Sequence, residues 1–381
     1  MNKNLSKNIS ILATFIFFII LFYPPLAFQV ILNDNLRIIL FSFSLFFLTL
    51  TNFKYKSQNN ILINNIILII SLIFLISSII SNKANTINTA LGYSSILIFS
   101  TLLFRIKSKI ISKIFFNKIT TLYIKFFIIV SVFSISNFFL NLFTTSLNFS
   151  SSIFSIYAYD YNVSIFGFII YKYILGIRIS RSFFFFIEPV YLAFFYLVNI
   201  FIISKYIKNK YFKIFNIVAG FATSSFFFIF GYLILIFLKF KNIYKIIIGI
   251  FIFILLLIYK FEIIQFFDSS SLSDRQERLQ IGYELIQNIG IKTILFGNGY
   301  LFEYDSNKGV GSAMITLLLE GGVIALISTL SLIYFYCRKE KYLLILVFFS
   351  LILFEPNKYP LFWLTIVLCN YYKSIFNNTK I

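Results

Sequence analysis

The chain alternates between long apolar runs and short segments that contain lysine. The run from residue 61 to residue 80 is uncharged and mostly apolar, without an alternating pattern, which favours a helix over a barrel strand. Because the bilayer core holds no water, each membrane segment must pair its own backbone groups, as a helix does. At about 20 residues per crossing, the pattern predicts about 11–12 transmembrane helices. The predicted spans are 11–32, 36–53, 61–81, 87–104, 119–143, 183–204, 214–240, 243–260, 312–336, 341–354 and 360–372.

Composition agrees with this pattern. Hydrophobic residues make up 60% of the 381 positions and charged residues 12%, whereas soluble domains are roughly half apolar and a quarter charged. We therefore predict an all-α, polytopic integral membrane protein with a single transmembrane domain over residues 1–381. The first apolar stretch follows Lys3 and Lys7 and lacks a small-residue cleavage site, so we expect an uncleaved first span.

The net charge of +20 comes mainly from lysines that lie between the apolar runs. That placement is typical of positive-inside anchors, and it argues against nucleic-acid binding. Cytoplasmic loops are predicted at Lys54 and Lys56, at 105–118, at 205–213 and at 338–341. Two long loops, 144–182 and 261–311, are then predicted on the periplasmic side. The chain has no His, which excludes imidazole acid/base chemistry. Its two Cys do not have the spacing of a zinc site or of a disulfide framework.

Lysines flank the 214–240 run on both sides, and a helix that crosses the membrane once cannot have both of its ends in the cytoplasm. If both flanks are cytoplasmic, the run must enter the membrane and return, with a break near Thr223-Ser224-Ser225. A single long tilted helix is the alternative. The placement of the charges favours the hairpin.

The second long loop contains its own local structure. Ser273 and Gln276 form a capping box, apolar residues follow at helical spacing, and Gly290 can end the helix. An amphipathic helix over 274–289 is therefore predicted, and Gly297-Asn298-Gly299 predicts a tight turn behind it.

Arginine is rare in this chain, with seven copies, and four of them fall in the two long loops. Arginine grips phosphate or carboxylate with a rigid fork that lysine does not have. The four can bind an anionic, phosphate-bearing ligand; they can also contact lipid headgroups or pair with nearby acids. These arginines are Arg178, Arg181, Arg275 and Arg278.

Of the carboxylates at predicted membrane depth, two are candidate site residues. Glu188 precedes Pro189 in an otherwise uncharged run, so it should face a cavity and have a partner. It is a candidate general base, and a simple internal ion pair with Arg181 is the alternative. Glu320 stands beside Gly321 and Gly322, where close helix packing and catalysis are both open explanations.

Several segments resemble the O-antigen polymerase (Wzy-type) and O-antigen ligase superfamily of bacterial envelope glycan assembly. Arg181 to Pro189 is similar to that family's Arg…Glu-Pro segment, although Phe184 stands where a Gly is common. Ala222 to Ser225 resembles its Thr-Gly-Ser-Arg break without the Arg. The likeness covers roughly residues 175–335, in order. The other matching segments are Ser273-Asp274-Arg275, Leu295 to Tyr300 and Leu319 to Gly322.

The resemblance implies a metal-independent glycosyltransferase without cofactors in the bacterial inner membrane. It would join oligosaccharide repeat units carried on undecaprenyl pyrophosphate into O-antigen or capsule, with membrane lipid and a chain-length regulator as further partners. Arg181, Arg275 and Arg278 would hold the pyrophosphate, and Glu188 would act as base or orient an arginine. Arg178, Asn298 and Glu320 would bind substrate.

Other functions stay open. Ligases of the superfamily depend on a His in the large loop, which this chain lacks, so the polymerase is favoured. A flippase or exporter of lipid-linked oligosaccharide would spread its cations along the bundle interior, whereas here the arginines concentrate in the long loops. A purely structural membrane protein is a third possibility, and Glu188 argues against it.

Overall fold

A computed structural model gives the architecture of the membrane bundle. It describes residues 3–22, 42–43, 66, 68–70, 72–73, 76, 94–100, 102–103, 109–143, 153–156, 159–164, 167–174, 177–182, 184, 186, 189–238, 280–287, 291–297, 312–338, 340–354 and 356–378. The predicted span 243–260 lies outside these residues, as do most of 36–53 and much of 61–81.

The apolar runs that the structure describes are helical. The helices are α1 (Lys3–Phe22), α2 (Lys109–Phe143), α3 (Pro189–Ile202), α4 (Lys210–Ala222), α5 (Phe226–Phe237), α6 (Ile291–Phe296), α7 (Ala313–Cys337), α8 (Lys341–Leu353) and α9 (Pro360–Asn378). Residues 94–100 and 280–287 are also helical.

Three of the described helical segments are long and apolar enough to cross a membrane: Lys113–Leu140, Pro189–Ile207 and Ala313–Cys337. The prediction of a mainly helical protein is confirmed for the described residues, and these three apolar helices are compatible with a helical membrane protein. Four shorter apolar helices accompany them: Ser6–Leu21, Phe227–Phe237, Lys341–Leu353 and Pro360–Cys369.

Helix α3 forms the centre of the bundle. Every one of its residues is buried, as expected for a helix that is apolar on all sides. Its aromatic side chains meet rings from four neighbours: Phe195 contacts Phe127 of α2, and Phe194 contacts Phe227 of α5, Phe354 after α8 and Phe362 of α9. Pro189 begins the helix, at a position where the missing N–H costs nothing.

Contacts along α3 set the direction of its neighbours. Tyr191 meets Phe354, and Phe201 meets Tyr342, so α8 runs antiparallel to α3. We call the end of the bundle near Pro189 and Phe354 the sheet end. The opposite end, near Ile207 and Lys341, is the lysine end.

Helices α4 and α5 form the hairpin that the lysine pattern favoured. Helix α4 starts at the lysine end and brings Asn216 against Asn199, so it runs antiparallel to α3. The chain breaks at Ser224, which has a φ of 46°, and α5 begins after Ser225. Helix α5 then returns beside α3, with Phe227 near Phe194 and Gly231 against Leu197.

The first long loop contains an element that the sequence did not predict. Four antiparallel strands lie within 144–182, in the order β1-β2-β3-β4. They are β1 (Ile153–Ile156), β2 (Tyr159–Ser164), β3 (Gly167–Ile174) and β4 (Ile177–Ser182). The prediction of an all-α chain needs this correction: β2 and most of β4 alternate in polarity, and that period-two pattern suits strands.

Some predicted boundaries were wrong. Helix α2 begins at Lys109, so part of the predicted loop at 105–118 is helical, because lysines at helical spacing extend the apolar helix. Helix α3 begins at Pro189 rather than at residue 183. The 312–336, 341–354 and 360–372 spans correspond closely to α7, α8 and the apolar part of α9.

Candidate functional site at the sheet end

The second long loop docks on α7 through two glycines. Helix α6 is followed directly by Gly297, which has a φ of 75° and lies against the backbone of Glu320 and Gly321. Reciprocally, Gly322 has a φ of 71° and lies against the backbone of Leu295 and Phe296. A Cβ on either glycine would overlap main-chain atoms of the other segment. Backbone-to-backbone packing of this kind requires glycine on both sides.

Gly322 also interrupts α7. Its φ of 71° and ψ of −177° are not helical, so α7 consists of two helical parts that meet at this residue. Interrupted helices within a membrane leave backbone groups that neighbouring segments must satisfy or shield. The end of α6 provides that shielding here.

Glu320 lies directly at this junction. Its backbone carbonyl faces Gly297, and its side chain is partly exposed. Helix α7 starts at the sheet end, where the amide of Ala313 donates to the carbonyl of Phe354 at 3.3 Å. Glu320 is therefore in the part of α7 nearest the sheet end. The packing explanation for its glycine neighbours is confirmed; its catalytic or binding role stays a prediction.

The backbone positions of Arg178 and Arg181 are on β4. Arg178 pairs with Tyr173 and Arg181 with Ile170 on β3. Successive strand positions alternate between the two faces of a sheet, so two positions three residues apart belong to opposite faces. The two arginine positions are thus close in the chain but on different surfaces of the sheet.

The remaining predicted site residues lie outside the described part of the chain. They are Glu188, Arg275, Arg278 and Asn298. Their neighbours are described: α3 starts at Pro189, residues 280–287 are helical within the predicted 274–289 helix, and α6 is followed directly by Gly297. Gln280 donates to the Glu284 carboxylate at 3.0 Å along that helix.

The end of β4 enters the protein core. Ser182, Phe184 and Phe186 are buried, and Phe184 stacks on Phe133 of α2 with ring centroids 5.5 Å apart. The chain therefore passes from the sheet to α3 through packed residues. This packing holds Arg181 and the start of α3 at the same end of the bundle as Glu320.

An ionic cluster that the sequence analysis overlooked lies at the lysine end. The chain leaves α3 through a π-helical turn, Ile203–Ile207. Lys205 forms an ion pair with Glu340, and the Tyr206 hydroxyl donates to the other carboxylate oxygen at 2.9 Å. The Glu340 side chain is 5% exposed and that of Lys205 46%. In the sequence, Glu340 is a single acid among Arg338, Lys339 and Lys341, and this position is the feature that could have indicated an ion pair.

A second overlooked contact joins α3 to the hairpin. The Asn199 side chain donates to Asn216 at 3.4 Å, and Asn216 donates to the Phe212 carbonyl at 2.8 Å. Both asparagines are buried. Amide side chains in apolar runs are a recognisable signal for hydrogen bonds between membrane helices.

No family model, curated protein or solved structure matches this chain. The site is therefore defined by its own geometry. The strand with the two arginine positions, the start of the buried helix α3, and Glu320 beside α6 all lie at the sheet end. Arginine is the residue type suited to binding an anionic headgroup.

Proposed function

We propose that this protein is a membrane glycosyltransferase that polymerises oligosaccharide repeat units carried on undecaprenyl pyrophosphate. The product would be O-antigen or a capsular polysaccharide, made at the periplasmic face of the bacterial inner membrane. The proposal rests on the resemblance of residues 175–335 to the polymerase superfamily and on the site geometry.

The observation that carries the proposal is the reciprocal packing of Gly297 and Gly322. It joins two of the segments on which the resemblance rests, Leu295 to Tyr300 and Leu319 to Gly322. These segments are distant enough in sequence that their contact was not required by chain connectivity. The contact anchors α6 and Gly297 next to the helix that carries Glu320; Arg275 and Arg278 precede α6 in the chain and lie outside the described residues.

The reaction needs cationic side chains that bind the pyrophosphate leaving group, and a group that accepts the hydroxyl proton. An acceptor sugar hydroxyl attacks the anomeric carbon of the donor sugar, a new C–O bond forms, and the bond to the pyrophosphate oxygen breaks. Arg181, Arg275 and Arg278 hold the departing pyrophosphate and stabilise its charge. The hydroxyl proton passes to Glu188, or Glu188 orients one of the arginines and solvent takes the proton.

The substrate-binding roles fall to residues around this core. Arg178 and Asn298 contact the saccharide or its phosphate, and Glu320 accepts hydrogen bonds from sugar hydroxyls. Because Arg178 and Arg181 belong to opposite sheet faces, Arg181 is the one of these two arginines that we assign to the pyrophosphate.

Deletion of the gene in its own host tests the proposal. Surface polysaccharide is separated on a gel, and lipid-linked intermediates are extracted and located by their accessibility on each side of the membrane. A polymerase gives loss of the ladder with a single repeat unit still attached to the acceptor. An intact ladder contradicts the proposal, and lipid-linked units trapped on the cytoplasmic side indicate a flippase instead.

A further inference from the structure

The four-stranded sheet separates apolar from polar positions by face. The pairing register places Phe154, Tyr161, Ile170 and Arg181 in one row across the four strands. A neighbouring row on the same face contains Lys172 and Ile179. Apart from Lys172 and Arg181, every position on this face is Phe, Ile, Val or Tyr. We call it the apolar face.

The opposite face has a different composition. It carries Asp160, Asn162, Arg178 and Ser180, together with further serine and tyrosine positions, Gly167, and two apolar positions, Ile153 and Ile169. We call it the polar face. An antiparallel sheet with this division normally covers something apolar on one side and meets water on the other.

The sheet is attached to the membrane bundle at both of its ends. Helix α2 ends at Phe143, shortly before β1, and α3 begins at Pro189, shortly after β4. Helix α2 packs on the sheet at β4 and, to a smaller extent, at β3. In the strand order, β1 and β2 are the strands farther from β4. The sheet therefore lies near the level where two membrane helices end.

We propose that the sheet lies flat on the bilayer surface, with its apolar face in contact with phospholipid. Two features of the sheet support contact with a lipid surface. The tethers hold the sheet where the helices leave the hydrocarbon, and the apolar face carries two cations and no acid, which complements phosphate headgroups. An open sheet has unpaired edge groups, so it suits the hydrated interface rather than the bilayer core.

The experiment measures which face meets lipid. Single cysteines replace Phe154, Tyr161 and Phe168 on the apolar face, and Asn162, Tyr171 and Ser180 on the polar face. The native Cys337 and Cys369 are buried, and unsubstituted protein labelled in parallel gives their background. Full-length protein carrying nitroxide labels is reconstituted into phosphatidylglycerol-containing liposomes, and collisions with O₂ and with Ni(II)-EDDA are measured by electron paramagnetic resonance.

We expect labels on the apolar face to collide more with O₂ than with Ni(II)-EDDA, and labels on the polar face to show the reverse. Ratios that alternate along one strand would establish the orientation. Free access of Ni(II)-EDDA to both faces overturns the proposal. Shielding of the apolar face from both reagents also overturns it, because protein would then cover this face, either another part of the chain or a second copy.

A charge variant tests the headgroup contact. Lys172→Glu should move the Phe168→Cys label toward water in phosphatidylglycerol liposomes and leave it unchanged in phosphatidylcholine liposomes. Lys210→Glu at the lysine end is the matched control and should change neither value. An identical shift in both lipids would contradict a role for anionic headgroups.

Discussion

Gly297 and Gly322 pack against each other's segments, each with a positive φ and each in contact with main-chain atoms. Gly297 meets Glu320 and Gly321, and Gly322 meets Leu295 and Phe296. Two backbones can approach this closely only where neither carries a Cβ. The relationship fixes the end of the second long loop on the interrupted helix α7, and the position of Glu320 follows from it.

Adding one methyl group at either glycine should undock the loop. Gly322→Ala introduces both an unfavourable φ and an overlap with the Leu295 carbonyl. Positive-φ strain at a non-glycine residue is of order 1–3 kcal/mol, and the overlap adds to it. We expect Gly322→Ala and Gly297→Ala to lower the unfolding free energy by at least about 2 kcal/mol, measured by thermal unfolding in detergent.

The control for this prediction is Ile327→Ala, on the same helix but exposed. It should change the unfolding free energy by no more than about 0.5 kcal/mol. Limited proteolysis between residues 273 and 311 should accelerate in the glycine variants and not in the control. Equal proteolysis rates in all variants would show that the two glycines do not hold the loop.

The ion pair at the lysine end gives a second prediction. Lys205→Met leaves the buried Glu340 carboxylate without its cation, which should cost about 1–3 kcal/mol, because Lys205 is half exposed and partly screened. Adding Glu340→Gln should recover part of that loss, since the neutral amide keeps a hydrogen bond to Tyr206. A double-mutant cycle on thermal unfolding measures the coupling.

Lys210→Met is the matched control for that cycle, because Lys210 is exposed at the start of α4. It should leave stability unchanged within about 0.5 kcal/mol. Additive effects of Lys205→Met and Glu340→Gln would mean that the two side chains do not stabilise each other in the membrane.

The hairpin formed by α4 and α5 predicts a topology. Cysteines introduced at Lys210 and at Asn242 should react with a membrane-impermeant maleimide from the same side of the membrane. A cysteine at Asn148, in the first long loop, should react from the opposite side. If the Lys210 and Asn242 positions react from opposite sides, residues 214–240 cross the membrane once and the hairpin is wrong.

The arginine fork gives a functional prediction. Arg275→Lys keeps the charge but removes bidentate phosphate binding, so we expect loss of polymer while the protein stays folded and membrane-inserted. Arg338→Lys is the control: Arg338 is exposed at the lysine end, its guanidinium over the Phe335 ring at 5.2 Å. Chain-length distributions from complemented deletion strains measure both. Normal chain length with Arg275→Lys would contradict the assignment.

Much of the helical body was predictable because its cause is local. The apolar runs that become α7, α8 and α9 are long and bounded by lysine or proline, and their predicted limits agree with the structure within a few residues except at the end of α9. The break at Ser224 was predictable from lysines on both sides of 214–240. Hydrophobicity and charge decide whether a segment enters lipid or stays in water. Membrane spans and their ends can therefore be predicted from the sequence without knowing which residues each side chain contacts.

The sheet was missed for a different reason. Strands β2 and β4 largely alternate in polarity, but β1 and β3 are mostly apolar without alternation, so the period-two pattern does not run through residues 153–182. The Gly297–Gly322 contact and the Lys205–Glu340 pair were also missed, since each joins residues that only tertiary packing brings together. Of the candidate site, the sequence predicted a role for Glu320 but could not place it against Gly297.

The most direct test of the central claim is polymerisation by the purified protein. Wild type and Arg275→Lys are reconstituted into liposomes with an undecaprenyl-pyrophosphate-linked repeat unit from the host, and products are resolved by chain length. The proposal predicts products of two or more repeat units and release of undecaprenyl pyrophosphate by wild type alone. Substrate that crosses the bilayer but is never elongated, or equal elongation by both proteins, would contradict it.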